Sequence, residues 1–202
     1  MKLYYSAGAC SLAPHIVLLE AGLPFELEKV DLKAKVTESG ADFTAINSKG
    51  YVPALALDNG QVLTEGVAVL QYIADQKPES ALAPAAGTQA RYQLQEWLTF
   101  ISSEIHKPMA TMFNPAQSAD WKAAVSVSLS KRLDWLSVQL QGKDYVLDNH
   151  FSVADAYLFT VLNWSNFVGF SLAAWPEVQA YIARVAARPQ VVAAMKQEGL
   201  LG

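Results

Sequence analysis

Cys10 is the only cysteine among 202 residues. It stands in Gly8-Ala9-Cys10-Ser11-Leu12-Ala13-Pro14, immediately before the first turn of an expected helix. The positive end of a helix dipole aimed at sulfur favours the thiolate, the form of cysteine that attacks. A lone cysteine is more often a small core residue, so the residue needs company before it means chemistry. A second polar group lies far along the chain. Thr99, Ser103 and His106 recur at spacings of four and three on one side of an expected helix, with Lys107 beside them. Such a stripe is either a solvated face or the wall of a site. Pro108 removes a backbone donor within the same pattern and predicts a kink just below His106.

Two sets of elements must hold these residues. Leu3-Tyr4-Tyr5 reads as a strand, and Leu12, Ile16 and Leu19 then recur at helical spacing until Gly22, a residue suited to the position after a helix end. Phe25 to Val30 alternates imperfectly, as an edge or half-buried strand. Val52 to Leu57 reads as a strand and Asp58-Asn59-Gly60 as a hairpin turn into Val62-Leu63. Thr64 is placed to cap a helix carrying Val67, Leu70, Ile73 and Ala74 on one face. Pro53, at the start of a strand, calls for an edge or a turn with a cis bond. The order is βαβ, a stretch without clear pattern, then ββα.

The stretch from Lys77 to Gly87 carries two prolines and a glycine and no clear period, and its residues 81–87 read as a linker; everything later has helical period. The expected architecture is therefore an α/β domain over 1–80 and an all-α domain over 88–202. In the second, Leu94, Trp97, Leu98, Ile101, Ile105, Met109 and Met112 form an apolar stripe, and Ser152-Val153-Ala154-Asp155 supplies a capping box with Asp in place of Glu or Gln. The helix that follows is apolar on nearly every side, so Asp155 is expected to be a buried structural acid.

Composition narrows the chemistry. Fifteen Lys and Arg against nineteen Asp and Glu give a formal charge of −4, and no basic stripe is interleaved with aromatics, so nucleic acid is not an expected partner. Three scattered histidines and one cysteine offer no metal-ligand spacing, and no glycine-rich phosphate loop is present; no permanently bound cofactor is expected. No apolar run approaches the roughly 18 residues of a spanning helix, so no membrane partner is expected. With no possible internal disulfide, and with Met1 to Tyr5 running into a strand pattern without an apolar signal segment or cleavage site, the expected location is cytoplasmic.

Five segments in order resemble the glutathione transferases, and among them the bacterial beta class. They are Met1 to Tyr5 with Gly8 to Leu12, Asn47 to Leu55, Leu63 to Asp75, Glu104 to Lys107, and Phe151 to Leu158. The resemblance covers the whole chain and implies a thioredoxin-like N-terminal domain followed by an all-helical one. It makes Pro53 a cis-proline that presents the backbone of Val52 to the cysteinyl part of glutathione. It assigns Glu65 to the ammonium of the tripeptide, the amides of Glu65 and Gly66 to the neighbouring carboxylate, and Lys35 to the glycyl carboxylate. Thr99, Ser103, Glu104, His106 and Lys107 match positions on the helical domain, with Glu104 in this class reaching into a partner subunit. The chain departs from the pattern at Gly66, where serine is more common, at Thr99, where asparagine is usual, and at Asp148, where glycine is usual.

The same resemblance implies a homodimeric enzyme that binds glutathione as co-substrate and transfers its sulfur to an apolar electrophile. Cys10, Ser11 and His106 are the catalytic candidates, and Tyr5, Ser6 and Ser11 compete as hydroxyl donor to the thiolate. Cys10 would add thiol exchange or peroxide reduction through a mixed disulfide with glutathione. Met112, Phe113 and Trp164 are expected in the wall of the second pocket, and His15 matches no site position. Two rival readings stand beside this one: chiefly a glutathione-dependent disulfide reductase, or a noncatalytic binding module on the same fold.

Overall fold

The structure, a computed structural model, describes residues 1–201. The chain forms two compact units, Met1–Ala83 together with the segment from Arg188 onward, and Pro84–Ala187. The expected pairing of a thioredoxin-like domain with an all-helical one is the fold observed.

The first unit is built on β1 (Lys2–Tyr5), α1 (Leu12–Ala21), β2 (Glu26–Asp31), β3 (Val36–Thr37), α2 (Phe43–Ile46), β4 (Ala54–Ala56), β5 (Val62–Thr64) and α3 (Gly66–Gln76). Its sheet has the order β3-β2-β1-β4-β5. Leu3 of β1 is fully buried and sits at the centre, paired in parallel with Leu27 and antiparallel with Leu55. The β2 strand therefore runs inside the sheet, because β3 covers the side the sequence left open. A two-residue strand and a four-residue helix have no period to read. Their determinants are local: the Asp42 carboxylate accepts from the Thr44 amide at 2.8 Å to start α2, and Phe43 is fully buried behind it.

α1 ends at Gly22, as its spacing predicts, with φ 65° and its amide on the carbonyls of Leu18 and Leu19. Val52-Pro53 is cis, and β4 starts only at Ala54, so the proline need not donate to the ladder. Asp58-Asn59-Gly60 closes the β4/β5 hairpin, with Gly60 at φ 83°. The expected cap for α3 is displaced by one residue. Thr64 stays in β5, and Glu65 takes the position before the helix at φ 70°, a conformation that non-glycine residues rarely adopt.

Helical period alone places 88–202 in one domain, but α10 (Pro189–Gln197) packs on α1 in the first unit. Polar clamps at both ends explain the return. Arg188 grips the Glu20 carboxylate with two nitrogens at 2.7 and 2.8 Å. At the other end Glu198 and Gln197 meet the two ring nitrogens of the fully buried His15 at 2.9 and 2.8 Å, and the second Glu198 oxygen accepts from the Gly8 amide at 2.9 Å. His15 is a structural residue, as expected.

The second unit contains α4 (Gln89–Phe100), a π-helical segment (Ile101–His106), α5 (Lys107–Thr111), α6 (Ala119–Leu140), α7 (Val153–Leu162), α8 (Ser165–Val168) and α9 (Pro176–Ala186). Pro108 does not break the run. The chain widens to i→i+5 bonding before it, as in the bond from the Lys107 amide to the Ser102 carbonyl, and returns to α geometry at Lys107. α7 is buried along its whole length. Its capping box is present in both directions, and the fully buried Asp155 carboxylate accepts from the Val146 and Ser152 amides, the Ser152 hydroxyl and the Tyr181 hydroxyl at 2.8 to 3.0 Å. Burial raises its pKa against these four donors. Among the described residues no helix is long and apolar enough to cross a membrane.

Two stability predictions result. Asp155→Ala strands two buried amides and two buried hydroxyls, so thermal unfolding should show a loss on the order of 3 kcal/mol; an unchanged midpoint would mean water replaces the carboxylate at no cost. Asp148 sits at φ 68° where its carbonyl accepts from the Tyr145 amide, which accounts for glycine being usual there. Asp148→Gly should therefore stabilise the protein by up to about 1 kcal/mol, and a lowered midpoint would give the Asp148 side chain a role of its own.

Candidate active site

In the first unit the Gly8-Ala9-Cys10-Ser11 turn leads into α1. The Ser11 hydroxyl ties this turn together, accepting from the Ser6 amide at 3.1 Å and donating to the Ser6 carbonyl at 3.2 Å. Ser11 is fully buried, so its hydroxyl is engaged in holding the loop. This overturns its candidacy as a donor to a substrate thiolate. Tyr5 lies buried in β1 with its ring 6.3 Å from that of His15, which leaves Ser6 as the half-buried hydroxyl of the three.

Cys10 is half-buried, and its sulfur donates to the Val52 carbonyl at 3.2 Å, beside the cis bond to Pro53. The expectation of a low-pKa thiol is corrected here. Burial pushes the thiol up to about 12, and the Glu65 carboxylate adds to the rise; the amides of Cys10 and Ser11 favour the thiolate but are outweighed. The helix N-terminus acts in the expected direction with insufficient strength.

Around the start of α3 the exposed Glu65 carboxylate accepts from the Tyr51 hydroxyl at 2.9 Å and from the Lys49 ammonium, which also donates to the Thr64 hydroxyl at 3.0 Å. Lys49 first and then Tyr51 hold this carboxyl below its ordinary pKa, so it is ionised at neutral pH. Lys35, at φ 59°, donates to the Gly50 carbonyl at 2.6 Å. Gly66 opens the helix, and a Cβ there would meet Pro53 Cγ at an ordinary 3.9 Å. Cys10, Val52 and Pro53 are brought together directly, and Lys35, Glu65 and Gly66 flank the same loop of 49–53.

In the second unit the Thr99 hydroxyl donates to the Gln95 carbonyl at 2.7 Å and the Ser103 hydroxyl to the Thr99 carbonyl at 3.0 Å, leaving both exposed oxygens able to accept. Lys107 is exposed at the start of α5. His106 Nδ1 lies 2.5 Å from the Tyr157 hydroxyl, its ring meets Trp164 edge-on at 5.0 Å, and Trp164 meets Phe113 at 5.6 Å. Burial first, and then Lys107, lowers the imidazole to about 4, so His106 is neutral at physiological pH and suited to hydrogen bonding rather than charge. Met112 and Trp164 are buried and Phe113 is half-exposed. Glu104 accepts from Arg132 Nε of α6 at 2.5 Å.

Sequence reasoning did not single out Lys49, Tyr51, Tyr157 or Arg132. The hairpin offered a signal for the first two, because pairing Ala54 with Thr64 carries the residues before Pro53 toward the start of α3. Tyr157 and Arg132 are distant in sequence from their partners and gave none. Among the described residues no group of His, Cys, Asp and Glu could hold a metal ion.

Residues 7–76 match the family model for the glutathione S-transferase N-terminal domain, and residues 100–189 that for the C-terminal domain. The chain is 44% identical over 200 residues to glutathione S-transferase GstA of Escherichia coli O157:H7, covering 99% of this chain and 100% of that one. Among solved structures it is similar to a sphingomonad glutathione S-transferase complexed with glutathione (51% identity, TM-score 0.95, all of both chains). It is likewise similar to the bacterial beta class enzyme of Sphingomonas chungbukensis (49% identity, TM-score 0.96, all of both chains). Both halves matching in order, and relatives aligned end to end, place the chain in the glutathione S-transferase family.

Proposed function

We propose that this glutathione transferase binds glutathione at the Cys10 turn and the cis Val52-Pro53 loop and transfers its sulfur to an apolar electrophile. The observation that carries the reading is the Cys10 sulfur on the Val52 carbonyl, at a loop whose backbone leaves the sheet before β4 begins. The Val52 backbone, outside the ladder at the cis bond, suits a strand-like partner such as the cysteinyl segment of a tripeptide. An ionised Glu65 suits its ammonium, the α3 amides at Glu65 and Gly66 suit the adjoining carboxylate, and Lys35 suits the glycyl carboxylate. Thr99, Ser103, Glu104 and Lys107 are proposed as the helical unit's contributions. The binding of glutathione by the sphingomonad relative supports this assignment.

In the reaction the glutathione thiol gives its proton to water, a sulfur–carbon bond forms, and the bond to the leaving group breaks, the group departing with the electron pair. Positioning of the sulfur and of amide donors supplies the acceleration. Neutral His106, with Trp164, Phe113 and Met112, fits an apolar second substrate needing a hydrogen bond rather than a counter-charge. The aromatic cleft of Trp97, Phe100 and Trp135 beside Glu104 and Arg132, about 480 Å³, supports a homodimer that covers it. Thiol exchange ranks second to transfer, because a thiol pushed up to about 12 keeps little thiolate at neutral pH.

Alkylation of Cys10 should accelerate with pH without levelling where an ordinary thiol, with a pKa of about 8.5, is fully ionised. Cys10→Ala should retain conjugation of glutathione to an aryl halide while losing a glutathione adduct formed from the oxidised tripeptide. A plateau in alkylation near neutrality, with total loss of conjugation in the variant, would make Cys10 the transferase nucleophile.

Gly66→Ser restores a hydroxyl at the first turn of α3 where there is room for it. One charge-assisted hydrogen bond should lower the Michaelis constant for glutathione about fivefold and leave that for the electrophile unchanged. No change in either constant would remove the start of α3 from the glutathione site.

A further inference from the structure

We propose that Lys49 is an internal competitor for the ammonium of glutathione and thereby sets this protein's affinity for the tripeptide; the proposal rests on the assignment of that ammonium to Glu65. The Lys49 ammonium occupies one oxygen of the Glu65 carboxylate and is steadied by the Thr64 hydroxyl at 3.0 Å. The chemical group and the ligand group are the same, a primary ammonium offering three donors. An incoming ammonium therefore meets a carboxylate already neutralised, and either displaces Lys49 or shares the acceptor with a like charge at close range.

The geometry separates this role from mere support. Tyr51 donates to the same Glu65 oxygen at 2.9 Å, so the carboxylate keeps an orienting hydrogen bond without Lys49. Glu65 itself is fixed by its backbone, at φ 70° immediately before α3. Removal of Lys49 thus exposes the negative charge without freeing the group that carries it. Both side chains are about half exposed, at 43% and 57%, which makes the ion pair weak and displaceable. Competition from a pair of this kind corresponds to about two- to fivefold in affinity.

Lys49→Met should tighten glutathione binding two- to fivefold by calorimetry at low salt, on the scale of exposed ion pairs. Lys49→Arg should stay near wild type. The gain should vanish with the N-glutaryl analogue of glutathione, which keeps the carboxylates and thiol but lacks the ammonium. Unchanged or weakened glutathione binding in Lys49→Met overturns the proposal, and weakening would assign Lys49 to a ligand carboxylate. Equal tightening of the analogue also overturns it, since the ammonium would then be irrelevant. Glu65→Gln separates the two levels of inference. If it leaves glutathione affinity intact, both the assignment of Glu65 and this proposal fail; if it weakens binding while Lys49→Met gains nothing, only the competition fails.

Discussion

The double pairing of β1 is the constraint on which the first unit's arrangement depends. One strand is parallel to β2 and antiparallel to β4, with Leu3 fully buried between Leu27 and Leu55. Because Tyr4 pairs with Ala54, the chain entering β4 and the chain leaving β1 emerge at the same end of the sheet. The first carries the cis Val52-Pro53 bond and the second the turn that ends at Cys10, which is why sulfur and carbonyl meet at 3.2 Å. A one-residue slip would invert every side chain of β1, and burial of Leu3 and Tyr5 forbids it.

The chemistry at that end is decided by a contest between two ordinary forces. Amides at the start of α1 favour negative sulfur, and desolvation together with the Glu65 carboxylate opposes it. Interaction with a helix terminus is worth at most about 2 kcal/mol, whereas burial moves a titratable group by several pKa units. The same desolvation, aided by Lys107, keeps His106 neutral in the second unit. Charge is instead concentrated on the exposed rim, where Glu65 and Lys49 meet. The buried groups are therefore set up for hydrogen bonding and the exposed ones for attraction.

Much of this was legible in the sequence where a period or a punctuating residue wrote it down. Gly22, the Asp58-Asn59-Gly60 turn and the Ser152 to Asp155 box fixed their elements locally, and Pro53 announced its turn. The π-helical segment was not legible, since its apolar stripe continues through Ile105 and Met109 as an α-helix would. β3 and α2 were too short for any pattern. The resemblance to the family makes Ser11 a candidate hydroxyl donor, yet at the entry to this helix its hydroxyl turns back onto Ser6. The return of α10 depends on Arg188 finding Glu20 and Glu198 finding His15, pairings that no local spacing encodes.

That return has a consequence for synthesis on the ribosome. Polypeptides emerge N-terminus first and domains commonly fold as units in that order. Here the Gly8 amide of the turn bearing Cys10 donates to the Glu198 carboxylate, and Glu20 of α1 pairs with Arg188. Pro84–Ala187 must be made before either clamp exists. The turn bearing Cys10 is therefore locked only once a segment 190 positions later in the chain has been made, so its maturation waits on residues beyond the whole helical unit.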